Sequence, residues 1–68
     1  MEKIEFNAEE ISLKDLLKAT NILPTGGLAK HIIKYEGVLL NGEICQIPGK
    51  KLHKKDQVVF DDFEITIV

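Results

Sequence analysis

Polar and apolar residues alternate at Lys3-Ile4-Glu5-Phe6, which predicts a short strand with Ile4 and Phe6 on its buried side. Asn7-Ala8-Glu9-Glu10 is polar and reads as a connection. From Ser12 onward the period lengthens. Leu13, Leu16, Leu17 and Thr20 return to one helical face and Lys14 and Lys18 to another, so a helix is predicted from about Leu13 to Ala19. Ser12 is placed to cap it, Asp15 can complete a capping box, and Ile11 and Leu16 stand at the two positions of a hydrophobic staple. Pro24 disfavours helical geometry in the residue before it, so residues 21–24 form a loop. A second helix is predicted from a Thr25 cap to near Tyr35. Leu28, Ala29, Ile32, Ile33 and Tyr35 span its apolar face, while Lys30 and Lys34 point away from it. Gly37 is placed to end it.

Beyond Gly37 the pattern is that of strands. Val38-Leu39-Leu40 and Glu43-Ile44-Cys45 flank Asn41-Gly42, a dipeptide that favours the positive φ angles of a type I′ hairpin turn. Pro48-Gly49 is a further turn. Lys50 to Lys55 is a basic block with Leu52 as its one large apolar anchor. Gln57-Val58-Val59-Phe60 reads as a strand, Asp61-Asp62 as a turn, and Phe63 to Val68 as a final alternating strand. The order β-α-α-β-β-β-β predicts an α+β fold, with two short helices packed on a small antiparallel sheet.

Length limits what such a fold can do. Sixty-eight residues suffice for a single domain, 1–68, whose core is thin, and leave no room for a deep catalytic cleft between domains. Met1-Glu2-Lys3 does not begin a signal peptide, and no apolar run approaches the length of a membrane span, so a cytoplasmic protein without a membrane partner is expected. Cys45 is the single cysteine; a small hydrophobic packing role is expected for it, in a reducing compartment.

The net charge of −2 would argue against a polyanionic partner, but it is unevenly spread. Residues 1–10 hold four Glu against one Lys, and residues 56–68 hold three Asp and one Glu with no base. The positive charge falls in two blocks, 11–35 and 50–55, and every base is Lys rather than Arg. Local field, not the sum, governs what a surface attracts.

The first candidate site is the start of the second helix. Thr25, Gly26 and Gly27 leave first-turn N–H groups uncovered at the positive end of the helix dipole, and Lys30 and Lys34 continue the positive stripe. Glycine on that face lets a sugar-phosphate backbone approach closely. The second candidate is the block Lys50, Lys51, Lys54 and Lys55. Each block alone also fits a solvated surface; together they supply the spaced charges of a phosphate track. Tyr35 is the one aromatic within reach of a base, although a mostly core position is expected for it. His31 is expected to flank the basic face and His53 to be a solvent-facing neighbour of Leu52. The two histidines lack any partner at ligand spacing, so no metal site and no cofactor are expected. No nucleophile–base pair, P-loop or dinucleotide fingerprint is present, which argues against an enzyme.

Several of these features occur together in one known family. Leu13, Leu16 and Leu17, then Thr25-Gly26-Gly27-Leu28-Ala29-Lys30 and Ile33, then Val38-Leu39-Leu40-Asn41-Gly42, Leu52 and Asp56-Gln57-Val58 make the stretch from Ser12 to Phe60 resemble the S-four-type RNA-binding domain. This alpha-L RNA-binding motif is named for a small-subunit ribosomal protein. The Gly-Gly-Leu-Ala-Lys run and the short chain look most like the stand-alone bacterial YaaA/YbcJ-type members. The resemblance implies an L-shaped surface of two helices and a hairpin presented to structured RNA, ribosomal or transfer RNA. By position it implies contacts from Thr25, Lys30, Lys34 and the Asn41-Gly42 turn, with Lys50 and Lys51 flanking them on the strength of their charge. The chain departs from the family where Thr25-Gly26 replaces a frequent Ser-Arg, where Gly37 ends the helix one position later, and where Lys55-Asp56 replaces Gly-Asp. A non-catalytic RNA-binding module is therefore expected. The alternatives are a β-grasp-like interaction module, whose carrier chemistry the ending Thr66-Ile67-Val68 would not support, and a protein-binding domain using the acidic ends.

Overall fold

Two helices form where the apolar period predicts them, and the caps show why they start there. In the computed structural model, which describes all 68 residues, α1 spans Leu13–Ala19 and α2 spans Gly26–Tyr35. The Ser12 hydroxyl donates to the Asp15 carboxylate at 2.7 Å, and the Asp15 N–H points back to Ser12 Oγ at 3.4 Å. The remaining N–H groups of the first turn of α1 are closed from outside the helix: Leu13 donates to the Lys50 carbonyl and Lys14 to the Pro48 carbonyl. In α2 the Thr25 hydroxyl accepts the Leu28 N–H at 3.1 Å.

The sheet strands are β1 (Glu2–Phe6), β3 (Val38–Leu40), β4 (Glu43–Cys45), β6 (Gln57–Phe60) and β7 (Phe63–Ile67), in the order β1-β7-β6-β3-β4. A separate two-stranded ribbon joins β2 (Glu10–Ser12) to β5 (Lys51–His53). The α+β class with two helices is as expected, but the sheet is mixed rather than wholly antiparallel. β1 lies parallel to β7, with Ile4 opposite Ile65 and Phe6 opposite Ile67. The ribbon corrects two further readings: the polar connection runs into a strand at Glu10, and the basic block contains one, centred on Leu52.

Leu13, Leu16 and Leu17 of α1 and Ala29 and Ile33 of α2 meet Val38, Leu52, Val58, Ile65 and Ile67 in a single buried cluster. The helices thus cover one face of the sheet, and Ile4, Phe6 and Ile11 seal its margin. The buried stripe of α2 is narrower than its apolar sequence. Leu28 is 41% exposed and Tyr35 68% exposed, against the core positions expected of them. Of the ten residues of α2, only Ala29 and Ile33 are buried. Cys45 is half-buried against the cluster margin.

The two connections nearest the candidate residues are tight. Asn41 and Gly42 adopt φ of 51° and 89°, as a type I′ turn between β3 and β4 requires. Gly37 links α2 to β3 at φ 84°, close beneath Ile44 and Gln46. No helix is long and apolar enough to cross a membrane.

Candidate nucleic-acid interface

The N-terminal tip of α2 is open to solvent. Thr25 and Gly27 are exposed and Gly26 is half-exposed. The N–H groups of Gly26 and Gly27 donate to no group of the protein, in contrast to those that open α1. Neither glycine answers an internal need. A methyl at either position would meet open space, and neither has a positive φ. Glycine in a helix costs roughly 0.5–1 kcal/mol relative to alanine, so packing gives no reason for the pair. What they provide is bare backbone facing outward, at the end of the helix where an anion is favoured.

Lys30 and Lys34 continue from that tip. Together with Gly27, His31 and Tyr35 they line one shallow hollow on the outer side of α2. Both lysines are exposed, and neither takes part in an ion pair. His31 flanks this basic face, as expected.

A second groove lies between the β3–β4 hairpin and β5, lined in part by Asn41, Gln46, Lys50 and Lys51. Gln46 reaches across to α2, where its Nε2 donates to the Lys34 carbonyl at 3.5 Å, so the groove adjoins the end of the lysine-bearing helix. The groove also contains Glu43 and Asp56, which makes its charge mixed rather than uniformly positive. The basic block does not act as one patch. Lys50 and Lys51 face this groove, whereas Lys54 turns away, its ammonium 3.7 Å from Glu9 and donating to the Val68 carbonyl at 3.2 Å. Lys55 is held by its backbone, which donates to the Ile67 carbonyl. His53 is exposed beside Leu52 as expected, and its ring lies 3.2 Å from Glu10.

Asn41 has an internal task that its sequence context does not show. Its Nδ2 donates to Asp56 at 3.0 Å and its Oδ1 accepts the Gln57 N–H at 2.9 Å, which clamps the hairpin turn to the start of β6. Gly42, one residue on, is exposed and has open space around it. Asp56 completes the clamp by accepting the His53 N–H at 2.8 Å.

These contacts hold the Asp56 carboxyl below the usual 3.8, chiefly through the His53 N–H and then the Asn41 amide, opposed by partial burial and aided by the charges of His53 and Lys50. A depressed folded pKa stabilises the fold above the ordinary carboxylate range, and that contribution is lost as pH falls through the folded value. The native protein is therefore expected to be more stable than Asp56→Asn near neutrality, with the difference shrinking below about pH 4. Urea midpoints of the two proteins from pH 6 to pH 2 check this; a gap that stays constant with pH would exclude an ionic role for Asp56.

Comparison with known proteins places the chain in a family. The family model described as "S4 domain" matches residues 4–68. The chain is also similar to a probable ribosome maturation protein RlbA of Bacillus subtilis (strain 168), with 33% identity over 60 residues that span 88% of this chain and 84% of the relative.

Proposed function

Because the chain belongs to the S4 domain family, we propose that it is a non-catalytic module that binds structured RNA through the outer face of α2 and the adjoining hairpin groove. The observation that carries this reading is the α2 face itself: two bare glycines with free N–H groups, followed on the same side by two unpaired lysines. Thr25, Gly26 and Gly27 accept a phosphate at the helix tip, and Lys30 and Lys34 hold the phosphates that follow. Lys50, Lys51 and the Asn41-Gly42 turn form the second flank. Asn41 acts there chiefly by fixing the turn, because both ends of its amide already have partners.

Lysine meets phosphate as a point charge, without the planar fork of arginine, so recognition rests on shape and phosphate spacing more than on base identity. The similarity to a probable ribosome maturation protein supports ribosomal RNA, or a precursor of it, as the partner class and the cytoplasm as the place of action. Glu2 and Glu5 stand on β1, at the sheet edge opposite β4, and disfavour RNA there.

Titration against a folded ribosomal RNA fragment at several salt concentrations tests the proposal. With about three to five phosphate contacts, the slope of log affinity against log salt is expected to lie between about −2 and −4. That corresponds to a loss of about 15- to 250-fold between 50 and 200 mM salt. Affinity that does not change with salt would rule out a phosphate-tracking surface.

A further inference from the structure

One feature of α2 is not used by phosphate recognition. Tyr35 is the only tyrosine of a chain without tryptophan, and it is 68% exposed rather than spent on a thin core. Its ring centroid lies 4.6 Å from that of His31, one helical turn earlier, with the planes tilted by 44°. Both rings line the same hollow as Gly27, Lys30 and Lys34, whose volume is ≈ 270 Å³. Gly27 contributes no side chain to fill it. Ammonium groups alone suffice to follow a phosphate backbone. An aromatic step in the same hollow supplies something different: a flat ring face on which a base can stack.

We propose that His31 and Tyr35 form a stacking platform for an unpaired nucleobase, so that the RNA taken by this face carries a bulged or looped-out nucleotide next to the phosphates held by Lys30 and Lys34. This inference rests on the RNA-binding reading above and deepens it by naming the kind of RNA. A continuous duplex keeps its bases stacked on one another and has none to offer. A bulge exposes a base, and stacking on an aromatic side chain recovers part of what unstacking loses. Every base has a π-face, so the platform selects for the unpaired state rather than for one base identity. A tilted ring pair one turn apart also supports the helix itself. That internal role predicts no preference among RNAs, which is where the two roles part.

The test uses the full chain and two RNAs: a fully paired duplex and the same duplex carrying a short bulge. The native protein is expected to bind the bulged RNA about fivefold or more tightly than the paired one, and Tyr35→Leu is expected to lose that preference while keeping its affinity for the paired duplex within about twofold. Tyr35→Phe is expected to keep the preference, since the ring and not the hydroxyl stacks. Tyr35 is the sole tyrosine, so intrinsic emission reports on this residue alone and is expected to be quenched by the bulged RNA but not by the paired one. Equal binding of the two RNAs by the native protein, or a preference that survives in Tyr35→Leu, overturns the platform and leaves RNA binding standing. No binding to either RNA overturns both.

Discussion

Replacing Lys30 and Lys34 together by glutamate is expected to weaken binding to folded RNA on the order of a hundredfold at ~0.1 M salt, and to make the salt slope shallower by about 2. Each substitution removes one ammonium–phosphate contact and places a carboxylate where a phosphate sits, so attraction is replaced by repulsion. Both side chains are exposed and neither belongs to an ion pair, so the fold should be barely affected. Surface changes of this kind stay within about 0.5 kcal/mol. The control is Lys3→Glu with Lys54→Glu, which changes net charge by the same amount at other places. Lys3 lies on β1, opposite Glu64 of β7, and Lys54 lies beside Glu9, both away from α2. Filter binding of the two double variants separates position from overall charge. Equal losses would mean that the whole molecule's field, and not the α2 face, attracts RNA.

That contrast depends on which lysines share a surface, and this was only partly legible in the sequence. The α2 stripe was legible because helical geometry is local: residues 27, 30 and 34 fall on one side of any α-helix. The block 50–55 was not. Its division between Lys51, paired across the ribbon to Ser12, and Lys54, drawn to Glu9, is set by contacts about forty residues apart in the chain. The two ribbon strands are three residues long, too short to show a period. Between them they present one fully buried apolar residue, Leu52, and one half-buried residue, Ile11.

The parallel pairing of β1 with β7 was hidden for a similar reason. Hairpins carry their turn in the sequence, as Asn41-Gly42 does, whereas a parallel pair is joined by everything that lies between. The Asn41 side chain shows the same limit. Its turn-forming character was readable, but its bonds to Asp56 and Gln57 cross fifteen and sixteen residues. Lys55 is the converse case. It adopts φ 79°, a glycine-like conformation, where the family resemblance places Gly before Asp, so the backbone turn persists under a residue that disfavours it. Leu28 and Tyr35 are exposed on a face that the sequence marks as apolar: periodicity reports which side is apolar, not whether anything covers it. Only Ala29 and Ile33 of α2 are buried, which leaves Leu28 and Tyr35 exposed.

The largest effect on stability is expected at the junction that sets the hairpin against α2. Gly37→Ala is expected to cost about 2–4 kcal/mol and Gly42→Ala about 1–2 kcal/mol, although the two glycines have nearly the same φ, 84° and 89°. The shared part is the strain of a side chain in left-handed backbone, partly offset by the lower entropy of the unfolded alanine chain. The difference comes from the surroundings. At Gly42 a methyl meets nothing within 4 Å. At Gly37 it would stand 2.9 Å from Ile44 Cγ2, 3.0 Å from Gln46 Cγ and 3.3 Å from the Cys45 carbonyl oxygen. Gln46 Cγ sits next to its Cβ, so relief there needs a turn about the first torsion of a side chain whose amide donates to the Lys34 carbonyl. The Ile44 branch is stiff about its first torsion, and the Cys45 carbonyl belongs to β4, so relief requires the hairpin to move away from the helix. A domain of this size has only about 3–10 kcal/mol in total, so Gly37→Ala should bring the chain close to unfolding while Gly42→Ala remains cooperative and native. Urea denaturation of the two variants beside the native protein measures the gap. Losses equal within about 0.5 kcal/mol would mean that the strand end yields freely and that Gly37 is required for its φ alone.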